Sequence, residues 1–353
     1  MTDQTEARLV RSPDLRIRPR GTTFVVDSPR LTTAYEVHGA GLDVLRLTAE
    51  PVSPEVLVDW LDLDRDTAAR LVGSMVRSGL LIDATESVAP ASPFDVWGQA
   101  VGVAHWEGER TAYAANEADE NTVKAKVLSR TRPPMTNRRG DVTGNDVRLT
   151  APEPLVRPLG EVLRSRRTSR FSQRRAVSLV DLSTLLGSVF GIISVRDAGD
   201  FGAGYLKAYP SAGALHDIDP YLVVFDVPGV APGTYAYIDS RNCLVPVSDE
   251  ADSAEWDRAT ASQGPPGACA MLLVLVSSTE RLAWKYRSPR AYRDVWQHAG
   301  HATQCALLVN TALGLESFVT NAITTPEVSR LLGLTSTEWP TTVIAVNGGP
   351  TRS

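Results

Sequence analysis

The chain has 353 residues, enough for two domains that each bury a core of their own. With 43% hydrophobic and 22% charged residues it has the balance of an ordinary soluble globular protein. Its 36 basic against 41 acidic residues leave a net charge of −5, which excludes a general electrostatic footprint for nucleic acid or a membrane surface. Cys243, Cys269 and Cys305 are widely spaced and form no CxxC pair, so neither a disulfide frame nor a metal site is expected. There is no basic leader before an apolar core, and no run of about 18 apolar residues. A cytoplasmic protein with reduced thiols is expected.

After a polar leader, LRIRPRG and TTFVVDSP read as two short strands, with RLTTAYEVHG as a third. Three helices follow: a short one over 41–48, one capped by Ser53 with Pro54 at its first position, and one with Ala68, Leu71, Val72 and Met75 inward that stops at Gly79. The apolar Leu80, Leu81 and Ile82 then form a short strand. This order has the size of a winged helix. A DNA reader needs a basic recognition helix, but residues 1–90 hold 10 Lys/Arg against 14 Asp/Glu. The module, roughly Leu15–Asp83, resembles instead the PqqD-like precursor-peptide recognition domain of peptide-modifying enzymes. That resemblance implies a leader peptide added as a strand beside the sheet, against the last helix. A purely structural module that aids oligomerisation is the alternative. The domain is assigned to residues 1–90. Residues 91–150, rich in Pro, Arg and Asn without periodicity, read as a linker with one apolar island around Phe94 and Trp106.

Residues 151–353 carry the chemistry. Seven arginines between Arg157 and Arg175 face a single acid, Glu161. They are either a solvated helix face or, with Arg166, Arg167, Thr168 and Arg170 crowded at a helix end, an anion site. An apolar helix follows, capped by Ser178 or Asp181. PSAGAL supplies small residues that let backbone approach a flat ligand. Strands are expected at Tyr221–Val227, GTYAYID, CLVPV, ACAMLLVLVSS and TTVIAVNGG. Between the last two lies a basic–aromatic stretch with Lys285, Tyr286, Arg287, Arg290, Tyr292 and Arg293. A helix with Val295, Ala299, Ala302, Cys305 or Ala306, Val309 and Ala312 inward follows and ends at Gly314. His298 and His301 have no third ligand beside them and read as packing.

RRTSRF at 166–171, YPSAGALHDIDPY at 209–221, KYRSPRAYRDVWQHAGHATQ at 285–304 and LGLESFVTNAITTPEVSRLLGL together resemble the nitroreductase superfamily. Within it they look like the SagB-type azoline dehydrogenases of thiazole/oxazole-modified peptide synthesis. The resemblance implies an α+β fold with a central, mostly antiparallel sheet flanked by helices, an interlocked homodimer and FMN at its interface. It places Arg166, Arg167, Thr168 and Arg170 on the flavin phosphate and pyrimidine side, with Arg352 also reaching the phosphate. Pro210, Ser211, Ala212, Gly213 and Leu215 would lie against the flavin from the partner subunit. Glu316 and Ser317 would bring backbone to the ring edge, and Lys285 and Tyr286 match the paired catalytic residues. Asp217 and Asp219 depart from the family pattern, which often has Pro after the His and Glu two positions on. The glycine-rich flavin loop is replaced by ESFVTNAIT.

The implied substrate is a modified precursor peptide, with a cyclodehydratase as a further partner. Oxidising its thiazoline or oxazoline rings removes a Cα proton, acidified by the flanking carbonyl and C=N, and a hydride equivalent from Cβ. Lys and Tyr have reference pKa values of about 10. A buried, cation-rich setting could lower either, so Tyr286 or Lys285 takes the proton while the other orients it. The alternatives are a flavin oxidoreductase for another natural-product intermediate, or a non-catalytic scaffold of a peptide-modifying complex.

Overall fold

The computed structural model describes residues 8–13, 15–28, 31, 33–85, 99–109, 115, 117–135, 137, 139 and 145–349. The chain divides into two compact units, Met1–Arg110 and Thr111–Ser353. Arg352 lies outside the described residues. Among the described residues no helix is long and apolar enough to cross a membrane.

In the first unit β2 (Arg16–Arg20), β3 (Thr23–Asp27) and β4 (Tyr35–Val37) form an antiparallel sheet. Helices α1 (Gly39–Leu47), α2 (Pro54–Trp60) and α3 (Arg65–Arg77) pack Val44, Leu45, Leu57, Ala68, Val72 and Met75 into one core with Val26 and Val37. Ser53 and Asp64 cap α2 and α3 by accepting from the Val56 and Thr67 amides. Gly79 follows α3 at φ 76°, a conformation that favours glycine. The polar leader is not wholly irregular. Leu9–Arg11 form β1, which pairs antiparallel with β5 (Leu81–Asp83). The pairing joins segments seventy residues apart, so local pattern does not reveal it.

Apart from the antiparallel pair β7 (Ser194–Asp197) and β8 (Ala203–Leu206) and the short α9 (Pro265–Ala268), the second unit is built on a seven-stranded sheet in the order β13-β14-β12-β9-β10-β11-β6, with β6 at Val147–Arg148. Every neighbouring pair in it is antiparallel. Its centre is β9 (Ile218–Val224), β12 (Met271–Ser278) and β14 (Glu338–Asn347), flanked by β10 (Gly233–Ile238), β11 (Cys243–Ser248) and β13 (Glu316–Thr320). Side chains alternate between two cores. Leu222, Val224, Leu273, Leu275, Ile344 and Val346 face α7 (Leu179–Phe190) and α11 (Ala291–Leu313). Tyr221, Val223, Leu272, Val274, Val343 and Ala345 face α8 (Ser253–Ala259) and α12 (Thr325–Leu332). Burial on both faces accounts for the unbroken apolar run of β12, each Leu or Val contributing about 1.5–3 kcal/mol. In α11, Ala299, Ala302 and Ala306 keep the helix close to α7, and Ala306 rather than Cys305 is fully buried. Gly314 closes α11 at φ 77°.

The 91–150 segment is more structured than a linker. It carries α4 (Gln99–Glu109), α5 (Glu117–Leu128) and the two-residue strand β6 (Val147–Arg148), which pairs with β11. From Arg130 onward its side chains hold it to the second unit. Arg130 donates to Trp284 O (3.1 Å), Arg132 to Ala203 O (2.9 Å), and Arg139 to Leu332 O and Gly333 O at the end of α12. The arginines that read as loop composition thus satisfy backbone carbonyls, contacts that no local periodicity reports. The fully buried Arg281 reciprocates by donating to Pro134 O (2.8 Å) and to His216 O (2.9 Å). It also forks onto both carboxylate oxygens of Asp219 at 2.9 and 2.8 Å. Removing one partner of such a pair strands a buried charge. Asp219→Ala is therefore expected to lose about 3–5 kcal/mol in urea unfolding. A loss near zero would mean that the two carbonyls alone satisfy the guanidinium.

Candidate active site

Lys285 is the last residue of α10 (Thr279–Lys285), and Tyr286 breaks that helix with φ −104° and ψ 105°. Both are half-buried. They converge on the loop from Pro210 to Leu215. A Cβ built on Gly213 would stand 2.8 Å from Tyr286 Oη and 3.1 Å from Lys285 Nζ, so only glycine leaves room there. Gly213 has φ 59°, and the non-glycine residues Ala214 and His216 are also left-handed, at φ 52° and 43°. Three such residues within four positions need a surrounding that over-determines them.

That surrounding is a chain of buried hydrogen bonds. The Ala212 amide donates to His298 Nε2 (2.8 Å), which leaves the ring proton on Nδ1 and facing Asp217 Oδ1 at 2.5 Å. Asp217 also accepts from Ser277 Oγ (2.6 Å), and its own carbonyl accepts from the Ser278 amide (2.7 Å). Ser211 Oγ takes the His216 amide (2.9 Å), and His301 Nδ1 lies 3.2 Å from Pro210 O. His298 is therefore more than packing, and both of its nitrogens are engaged. The only hint in the sequence was Asp217 itself, a position that departs from the family pattern, and nothing local ties it to His298. Leu215 is buried against Leu282 and Val295, so any contact it makes with a ligand is through backbone.

The electrostatics separate the two candidate bases. Burial lowers the Lys285 ammonium below the ordinary lysine value. Burial, and then the Asp294 carboxylate, raise the Tyr286 phenol above its ordinary value. The expectation that the setting lowers either one is thus corrected: it lowers Lys285 only. The Lys285 ammonium also lies 4.7 Å from the centre of the Phe201 ring. Burial first, then Lys207, push His216 down to about 4, so its ring is neutral at pH 7.

The second group of expected residues sits elsewhere. Arg166 ends α6 (Leu159–Ser165), and the loop after it runs beside β13, where the Ser169 amide donates to Ser317 O (2.8 Å). Arg166 is half-buried and Arg170 exposed, and neither has a carboxylate partner among the described residues. The Arg170 guanidinium lies 5.9 Å from the Phe318 ring centre. Arg167 is turned back onto Arg164 O and Arg166 O, and Thr168 is exposed. Glu316 pairs with Arg175, and Ser317 accepts from Asn310 Nδ2 (3.0 Å). The structure brings Lys285, Tyr286 and the 210–215 loop together, but not with the arginines. His298 and Asn310 mark the two ends on α11, about 18 Å apart at 1.5 Å per residue.

His298→Ala removes the acceptor of a buried amide, which costs about 1–3 kcal/mol. Hydrogen exchange at Ala212 is expected to speed up about tenfold or more, with β12 and β14 unaffected. Unchanged exchange would show that the loop holds itself.

Residues 163–349, just over half of the chain, match the model of the Nitroreductase family. MJ1384 of Methanocaldococcus jannaschii, whose name assigns it to the nitroreductases, is 29% identical over 189 residues, covering 54% of this chain and 91% of its own. A crystal structure from Anabaena variabilis that carries the nitroreductase name superposes with a TM-score of 0.56 at 16% identity, over 76% of this chain and 50% of that one. The E. coli microcin synthetase McbBCD complex gives 0.42 at 19% identity, over 74% of this chain and 95% of that one, a likeness too loose to bear on function. Enzymes of the nitroreductase family are FMN-dependent. The residues here fit that group: among the described residues Arg166 and Arg170 have no carboxylate partner and can meet a phosphate, and the missing Cβ at Gly213 lets Lys285 and Tyr286 approach the backbone of the 210–215 loop. The match over more than half of its length makes the protein an oxidoreductase of the nitroreductase family.

Proposed function

We propose that the protein is an azoline dehydrogenase, oxidising thiazoline or oxazoline rings of a modified precursor peptide to thiazole or oxazole. The observation that carries the reading is the convergence of Lys285 Nζ and Tyr286 Oη on Gly213, within a loop of small residues. Bound FMN supplies the two-electron acceptor. Lys285, with its lowered basicity, takes the Cα proton of the azoline, and the Tyr286 hydroxyl, which stays protonated, orients the ring by donating a hydrogen bond. His298 and Asp217 hold the loop in register with that pair, and Arg166 and Arg170 grip the cofactor phosphate.

Two copies complete the site in this reading, the arginine end of one chain meeting the 210–215 loop of the other. Their separation along α11 supports it, as do the exposed apolar Val156 (88%), Leu159 (64%) and Leu163 (54%) beside the arginines. The N-terminal unit takes the peptide. Strand β2 is an edge of its sheet, and a cleft of about 660 Å³ between β1, β2 and α1 is lined by Val10, Leu15, Ile17, Leu42 and Leu45 with Arg11 and Arg46. That cleft is on the α1 side rather than along α3, the last helix.

A general base must be deprotonated, so turnover of an azoline peptide should rise with pH through the lowered Lys285 pKa, below 10.5. Lys285→Met should cost about 10²–10⁴-fold in kcat and erase that limb while FMN remains bound. Tyr286→Phe should keep the limb and lower kcat/KM. A Lys285→Met enzyme with an intact pH limb would remove Lys285 from the role.

A further inference from the structure

Beside Tyr286 the second unit has a cleft of about 480 Å³. Its volume is in the range of a small-molecule site rather than a gap between side chains. Tyr286 is its wall, so the cleft and the candidate reacting pair share one residue. The floor is apolar, made by Leu282 and Val295, which are 2% and 3% exposed. Tyr292 lines the cleft, Trp296 stands 5.9 Å from it beyond the lining, and Trp339, also lining, lies edge to face with Tyr292 at 6.2 Å between ring centres. These three rings are 48%, 46% and 38% exposed, a concentration of open aromatic surface that the fold does not require. Trp339 is fixed there by donating Nε1–H to Ser336 O at 3.0 Å.

Charge selects among occupants. Open indole and phenol faces attract cations as well as rings, but Arg287 lines the cleft and, among the described residues, no acidic side chain does. A cationic side chain would meet that guanidinium, and the Asp294 carboxylate that acts on Tyr286 is not among the lining residues. An uncharged ring meets apolar floor and aromatic edges, and its peptide carbonyl can accept from Arg287. We infer that this cleft is a subsite for an aromatic side chain of the residue adjoining the ring under oxidation, so that the enzyme selects azolines flanked by an aromatic residue. The inference rests on the dehydrogenase reading for the identity of the reacting ring, and on the cleft alone for the aromatic side chain.

The test uses the full-length, FMN-loaded protein and two azoline peptides that differ only in the flanking residue, Phe or Gly. Wild type is expected to favour the Phe peptide by about 10–200-fold in kcat/KM, expressed mainly in KM. Tyr292→Ala and Ala283→Phe, which open and fill the cleft, should each reduce that ratio to within a few-fold of one. Equal kcat/KM values in wild type, or a ratio that survives both substitutions, overturn the subsite. N-acetyl-phenylalaninamide binding, followed by tryptophan fluorescence, separates the two ideas. If neither peptide is oxidised the dehydrogenase reading fails. Saturable binding that Ala283→Phe abolishes still upholds the cleft, and absence of binding to wild type removes it.

Discussion

The Asp217 carboxylate, fully buried at the head of β9, is the interaction on which the candidate site depends. It ties three elements together: Ser277 of β12 through its hydroxyl, His298 of α11 through Nδ1, and, through that ring, the Ala212 amide of the left-handed loop. A carboxylate at zero exposure is costly unless its oxygens are used, and here both are. Two residues on, Asp219 does the same for Arg281, whose other donors reach His216 O and Pro134 O. The two aspartates thus place the loop, the start of α11 and the end of α10 in one frame. Lys285 and Tyr286 follow from it, since they occupy the last turn and the break of α10.

The same frame explains why the loop tolerates its conformation. Gly213 suits a left-handed position, but Ala214 and His216 do not, and strain of order 1–3 kcal/mol at each persists only where neighbours fix it. Ser211, His298 and Tyr205 take the amides and the ring nitrogen of the loop, and the lowered basicity of His216 keeps that ring uncharged in its buried place. Strain and polar burial therefore gather where a loop of small residues meets a lysine of reduced pKa.

The long elements were legible because their burial is one-sided or complete. The runs that became β9, β12 and β14, and the spacing that became α11, report a sheet covered on both faces and a helix of small residues packed upon it. The first of these strands lies at Ile218–Val224, a few residues before the expected Tyr221–Val227, because Asp219 and Pro220 are accommodated inside it. Elements held by distant partners were not legible: β1 by β5, β6 by β11, and the 130–139 segment by arginine-to-carbonyl bonds. In the site, residue identity pointed to Lys285, Tyr286 and the small-residue loop. The roles of Asp217 and His298 were hidden, since a relay of single side chains 81 positions apart leaves no periodicity.

In the proposed reaction Lys285 takes the substrate proton beside Gly213. Anaerobic single-turnover reduction of the bound flavin by an azoline peptide tests it most directly, because loss of flavin absorbance reports the chemical step without reoxidation or product release. Wild type should bleach in one fast phase, and Lys285→Met, loaded with FMN to the same extent, should bleach slower by at least about a hundredfold. Bleaching of the two at equal rates would contradict the claim.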